Sequence, residues 1–328
     1  QIIFRLLEKL KYITYLAEIV VIINGSPQPT REQVLLLRVI DIRVTVLLES
    51  GQKTELLNEC LASEAEKFSG KGFALWLGFT YILQKYDRLV FIATIDADIK
   101  NFTQTFLLKL LFPLIQLDID FNKGYYVRYS SNKLDGRLTR LLVFPLLQAM
   151  HKQTNKSEIL DFLMEFRYPL SGEVAITSNL LNKLNLRQSW SYDLCLLVEV
   201  QKHITNVTIA QTEITNNHQH QHRDSTYNSS YSLMEVAIDI IDYLCGLYPF
   251  DISILSSDYV SIAFEFIDKY EKLASFNGLD FDATEERQLA QQLVMLMKKN
   301  QYNSILLPSW NHVCYQEKLR KFITDLIL

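Results

Sequence analysis

The chain has 328 residues, of which 48% are hydrophobic and 21% charged, an ordinary globular composition with room for a large core. Its net charge of −4 gives no basic surplus for nucleic acid or an anionic membrane. The four cysteines (Cys60, Cys195, Cys245 and Cys314) form no CxxC pair, which argues against a zinc site or a disulfide framework.

In chain order, residues 4–16 have helical apolar spacing. Residues 18–23 read as a buried strand ended by the turn Asn24-Gly25-Ser26-Pro27. Residues 43–48 are a second strand, 53–68 and 72–86 helices, 88–95 a third strand and 121–128 a fourth. Helices are expected at 137–150 and 157–166, a loop leading into a strand at 169–175, and a helix at 193–203. Residues 216–232 are polar without apolar period and read as a flexible loop. Helices follow at 233–247, 260–273, 285–299 and 316–328. The alternation predicts an α/β fold, a mixed and mainly parallel sheet flanked by helices, with a helical C-terminal part. The expected divisions are 1–215, the loop 216–232, and 233–328. No apolar run reaches membrane-spanning length, since the best, 106–117, is broken by Lys109 and Pro113. No signal-peptide pattern is visible, so a cytoplasmic protein is expected.

Asp96 and Asp98 follow the apolar strand at 88–95, where ligand sites of open α/β sheets gather. Two carboxylates suit a hard divalent cation, and the alternative is a solvated turn or a helix N-cap. Gly70-Lys71-Gly72 opens a helix, and its glycines would let the backbone approach a ligand while Lys71 meets phosphate. A plain helix start is the alternative. Gly136-Arg137-Leu138-Thr139 also precedes an apolar helix, as an anion pocket or as a cap with a solvated arginine. His218, His220 and His222 alternate with glutamines, as metal ligands or as part of a polar loop. Glu173 and Asp193 are candidate polar contacts to a sugar, although Asp193 also suits a helix cap.

The order of these motifs is more specific than any one of them. Gly70-Lys71-Gly72, Asp96-Ala97-Asp98-Ile99, Pro113-Leu114 and Lys123-Gly124-Tyr125-Tyr126-Val127-Arg128 come first. Gly136-Arg137-Leu138-Thr139, Pro145-Leu146-Leu147, Pro169-Leu170-Ser171-Gly172-Glu173 and Ile209-Ala210-Gln211 follow. Over residues 18–240 the series resembles glycosyltransferase family 81, the retaining glucosyl- and mannosyl-3-phosphoglycerate synthases. The resemblance implies a GT-A fold and a metal-dependent transfer of a hexose from UDP- or GDP-sugar to a small phosphorylated acceptor such as 3-phosphoglycerate. It also implies Mg²⁺ or Mn²⁺ as cofactor and compatible-solute synthesis as the setting. A homodimer is the assembly considered.

The resemblance makes Asp96 and Asp98 the metal pair, with Asp96, Lys71 and Ser26 on the donor side. It makes Gly136, Arg137 and Thr139 the acceptor-phosphate site, and Glu173 and Asp193 the candidate catalytic groups. A histidine after Ile209-Ala210-Gln211 would complete the metal shell. An ungapped alignment falls on Gln219, which leaves His218 and His220 open. The chain departs from the family at Asp135, Arg140 and Asp193, where glycine, glutamate and glutamate are usual. The family's opening strand, with its Pro-x-x-Asn-Glu-Glu turn, is not visible before Phe4, so a missing or divergent N-terminal segment is expected. A transferase resembling family 2 with another acceptor, or a non-catalytic sugar-nucleotide-binding protein, are the alternatives.

Overall fold

The computed structural model describes residues 2–23, 31–48, 70–130, 132–154, 156–218, 229–298, 306–307 and 309–310. The helices expected at 53–68 and 316–328 and the turn holding Ser26 lie outside the described residues, as do His220 and His222.

Helix α1 (Ile2–Leu10) buries Leu6, Leu7 and Leu10 and stops short of the expected residue 16. The Arg43 guanidinium explains the stop. It donates to the carbonyls of Leu10, Lys11, Ile13 and Leu16 at 2.6–3.1 Å, supplying the donors that a helix C-terminus lacks. Asp41 holds Arg43 in place at 2.6 Å. Strand β1 (Ile19–Ile23) then pairs in parallel with β2 (Val44–Leu48), and α2 (Arg31–Ile40) connects them.

Helix α3 (Lys71–Lys85) leads to β3 (Phe91–Thr94), α4 (Gln104–Gln116) and β4 (Phe121–Tyr126). Pro113 lies inside α4 and withholds an N–H from the Lys109 carbonyl. The buried Asn122 amide fills the gap, donating to Leu110 O at 2.8 Å and Lys109 O at 3.4 Å. Two short strands follow, β5 (Tyr129–Ser130) and β6 (Lys133–Leu134).

The sequence suggests one helix over 137–150, whereas the chain makes a π-helical segment, Leu138–Val143, before α5 (Phe144–Gln153). Pro145 is the local cause, because an α-helix would need its N–H for the Leu141 carbonyl. The buried Tyr259 hydroxyl donates to that carbonyl instead, at 2.7 Å.

Next come α6 (Glu158–Met164), β7 (Val174–Thr177), α7 (Ser178–Leu181), α8 (Tyr192–Gln201) and β8 (Ile209–Thr215). The C-terminal helices are α9 (Ser229–Cys245), α10 (Ile252–Phe276) and α11 (Ala283–Met297). Helix α9 begins inside the segment read as a loop to residue 232. Helix α10 begins well before residue 260, because Asp251 caps the amides of Ser253 and Ile254.

The four-stranded sheet has the order β3-β7-β4-β8. Strand β7 is antiparallel to both neighbours, while β4 and β8 are parallel, so three of the four strands share one direction. The carboxyl ends of β3, β4 and β8 and the amino end of β7 therefore meet on one edge. Residues of α9, α10 and α11 such as Ile240, Tyr259 and Leu293 share one buried cluster with Trp76, Leu142 and Leu146.

Candidate active site

That shared edge gathers most of the candidate residues. Asp96 leaves β3, Glu173 enters β7, Tyr126 ends β4 and His218 follows β8. Thr94 Oγ1 donates to the Gly172 carbonyl at 2.7 Å and draws the 171–173 turn against the end of β3. A methyl group on Gly172 would lie 2.6 Å from Asp96 Oδ1, so a side chain there would have to displace the carboxylate. Asp98 sits two residues on, exposed.

Lys71, the first residue of α3, is placed by its flanking glycines. The sequence suggested that these glycines admit a ligand, but the close approach is to the chain itself. A Cβ on Gly72 would lie 2.0 Å from the Arg187 carbonyl, and Phe73 N donates to Gln188 O at 3.0 Å. This contact sets α3 against the start of α8. Lys71 Nζ then lies 3.1 Å from Asp193 Oδ2 and 3.7 Å from Asp96 Oδ1. Burial opposes the ammonium charge, but Asp193, Asp96 and Glu173 outweigh it, and the lysine is held above its ordinary value. The other oxygen of Asp193, Oδ1, is buried and has no hydrogen-bond partner among the described residues.

Glu173 is buried and accepts the Tyr126 hydroxyl at 2.8 Å through Oε2. Burial, reinforced by Glu173, holds the Tyr126 phenol well above its ordinary value. The His218 ring stacks on Tyr126 at 3.8 Å and 12°, with Nε2 at 3.5 Å from Glu173 Oε1. His218 is only 2% exposed, although the sequence assigns it to a flexible loop. Two bonds fix it: its N–H donates to Val127 O, and Asn101 donates to the Asn217 carbonyl at 2.7 Å.

Among the described residues, no three histidine, cysteine or carboxylate side chains form a group that could hold a metal ion. The set Asp96, Asp98 and His218 is thus not a preformed cage. Two carboxylates at the sheet edge still suit Mg²⁺ or Mn²⁺ chemically. Mg²⁺ is commonly held by one or two carboxylates together with substrate phosphates and waters.

The Gly136-Arg137-Leu138-Thr139 turn lies beside this cluster through Tyr168, whose hydroxyl covers Gly136 and whose ring is 5.0 Å from that of Tyr126. Thr139 Oγ1 is buried without a hydrogen-bond partner among the described residues. The sequence left Arg137 either solvated or free to bind an anion. In the fold it is ion-paired with α11, to Glu285 at 2.8 Å and Glu286 at 3.2 Å.

Lys123 received no role from the sequence. It is wholly buried in β4 and donates to Ser171 O at 2.7 Å, while Ser171 Oγ donates to Gly124 O at 2.5 Å. Burial pulls its ammonium down to about 8. A charged residue inside a strand was the available signal. Tyr168, which joins Gly136 to Tyr126, carried no signal.

No protein-family profile matches the chain. It is 30% identical over 308 residues to glucosyl-3-phosphoglycerate synthase of Persephonella marina, covering 90% of this chain and 76% of that protein. It is 28% identical to the enzyme of that name from Methanococcoides burtonii, covering 74% of this chain and 64% of that one. Among solved structures, glucosyl-3-phosphoglycerate synthase of Mycobacterium tuberculosis with phosphoglyceric acid superposes with a TM-score of 0.54 at 22% identity, over 74% of each chain. The same enzyme with Mn²⁺, UDP-glucose and glycerol 3-phosphate gives 0.54 at 23%, again over 74% of each. These likenesses show the GT-A fold. With the sequence identity to the Persephonella enzyme, they establish that the chain belongs to the glucosyl-3-phosphoglycerate synthase family of hexosyltransferases.

Proposed function

We propose that this chain transfers a hexose, with retention of anomeric configuration, from a UDP- or GDP-sugar to 3-phosphoglycerate in a reaction that needs Mg²⁺ or Mn²⁺. The observation that carries the reading is Lys71 Nζ lying between Asp193 and Asp96 at the edge where the sheet delivers its polar residues. Support also comes from relatives named for glucosyl transfer to 3-phosphoglycerate, and from Mycobacterium tuberculosis structures with Mg²⁺ and UDP or Mn²⁺ and UDP-glucose.

In this reading Lys71 stays protonated and meets the departing diphosphate. Asp96 and Asp98 hold the cation, which neutralises diphosphate charge when bound. Asp193 Oδ1, buried with no partner among the described residues, accepts a hydroxyl of the hexose. Glu173 is locked by Tyr126 and lines the same edge. Arg137 and the Thr139 hydroxyl hold the acceptor phosphate, beside Gly136. The residues supply position and charge, so no strong base is required. Retention rests on analogy with the family. Among the described residues, His218 is the histidine turned toward this cluster, and Ser26 belongs to the reading as a donor contact. A homodimer and a cytoplasmic location complete it.

The test is a thermal-shift screen of nucleotide sugars with and without Mg²⁺ or Mn²⁺, since ligand bound to the native state raises Tm. It is followed by product analysis with 3-phosphoglycerate and NMR of the anomeric proton. A metal-dependent shift with one sugar nucleotide and an α-linked product is expected. An inverted product, or transfer only to an uncharged acceptor, overturns the reading.

A further inference from the structure

Arg137 is held at two places of unequal firmness. Its Nε lies 3.2 Å from Glu286 Oε1. That carboxylate is gripped by Arg140, through Nη1 at 2.6 Å and Nη2 at 2.9 Å, in a buried, bidentate pair. Arg140 also donates to the Leu134 and Asp135 carbonyls at 3.1 Å, and its guanidinium stands over the Tyr270 and Phe281 rings. Glu286 therefore cannot move without disturbing the Leu134–Gly136 turn. Glu285 differs. Its side chain is 50% exposed, and it meets Arg137 Nη2 at 2.8 Å where Arg137 is itself 36% exposed.

We infer that Glu285 is an internal competitor for the acceptor's phosphate. It occupies a terminal nitrogen of Arg137 in the empty site, gives way when the phosphate binds, and returns as the product leaves. The inference rests on the reading of Arg137 as an acceptor-phosphate contact. The chemistry follows from the two contacts. Glu286 fixes Arg137 by its inner nitrogen, so losing Glu285 leaves the fork in place and uncovered. A phosphate dianion offers three oxygens and more charge than a carboxylate, so it displaces Glu285. Acceptor, product and inorganic phosphate must all displace the same carboxylate, and each is weakened by the same factor. An exposed ion pair of this kind sets that factor at roughly two- to fivefold.

The experiment compares wild type with Glu285→Gln, which keeps the side chain's shape on an exposed first turn, and with Glu285→Ala. Acceptor KM, product inhibition and competitive inhibition by inorganic phosphate are measured, with donor KM and Tm alongside. The expected result is a common roughly two- to fivefold tightening for the three phosphate-bearing ligands, with donor KM unchanged and the gain shrinking as salt rises. Unchanged or weakened phosphate inhibition in both variants overturns the inference. Arg137→Lys separates this from failure of the underlying reading. If it weakens acceptor and phosphate while the Glu285 variants change nothing, only the competitor role falls. If it leaves both unaffected, the acceptor site itself is elsewhere.

Discussion

The Asp96 carboxylate rests against Gly172, with Oδ1 only 2.6 Å from where a side chain on that residue would begin. Gly172→Ala must push the carboxylate or the turn aside. Overpacking of this kind costs about 1–3 kcal/mol. We expect a lowered Tm and a loss of metal-dependent UDP affinity larger than the stability change explains. Calorimetric titration of UDP with and without Mn²⁺ checks it, and unchanged affinity would refute it.

Lys71 and Asp193 form the shortest ion pair of the cluster at 3.1 Å. Lys71→Met should lower kcat by roughly 10²–10³, the usual effect of removing a donor aimed at developing charge. Because Asp193, Asp96 and Glu173 hold the ammonium above its ordinary 10.5, Lys71 stays charged across the working range. The pH–rate profile should show no alkaline limb from it below that value.

Asp98→Ala should leave the fold intact, since the residue is exposed in the turn after β3. Nucleotide binding should then lose its dependence on Mg²⁺ or Mn²⁺. A variant whose UDP or GDP affinity still rises with added Mn²⁺ counts against a ligand role for Asp98.

Tyr259→Phe leaves the Leu141 carbonyl without its donor. A buried carbonyl stripped of its partner costs about 1–3 kcal/mol. Urea unfolding should register this while both KM values stay the same. In a Pro145→Ala background the helix regains an N–H at residue 145, so the same substitution should cost less. A double-mutant cycle with no coupling would show that the hydroxyl and the proline are unrelated.

Lys123 gives a stability effect of defined sign. Burial lowers its folded value to about 8 from an ordinary 10.5, so the unfolded chain binds more protons between those limits. Below pH 8 both states are charged, and the cost of burying the ammonium is felt in full. Stability from this group then rises with pH from about 8 to 10.5. Lys123→Met should abolish that rise, as pH-dependent chemical denaturation would report.

The legible parts of this protein were those written locally. An apolar strand running into Asp96 and Asp98, and glycines flanking Lys71, announce themselves within a few residues. Strand β8 is not legible because Gln211, Thr212 and Glu213 interrupt its apolar pattern, the first two lying partly buried and Glu213 exposed beside β4. The π-helical segment depends on Tyr259, 118 residues from Leu141. Arg137 could be placed at a helix start, but its partners Glu285 and Glu286 lie in a helix that only the folded core brings near. His218 looked like a loop residue because its neighbours are polar. Tyr126, which covers it, was seen only as part of a motif.

The reversed direction of β7 carries a consequence for spacing. Its register is set twice, Thr94 against Val174 on one side and Lys123 against Val174 on the other. A slip of one residue would turn Glu173 to the opposite face of the sheet and break both ladders together. Strand β7 is thus the ruler between Asp96 and Tyr126. Substitutions in the turns around the site leave this spacing intact, but a one-residue insertion between Gly172 and Val174 should silence the protein while leaving every polar residue of the site in the sequence.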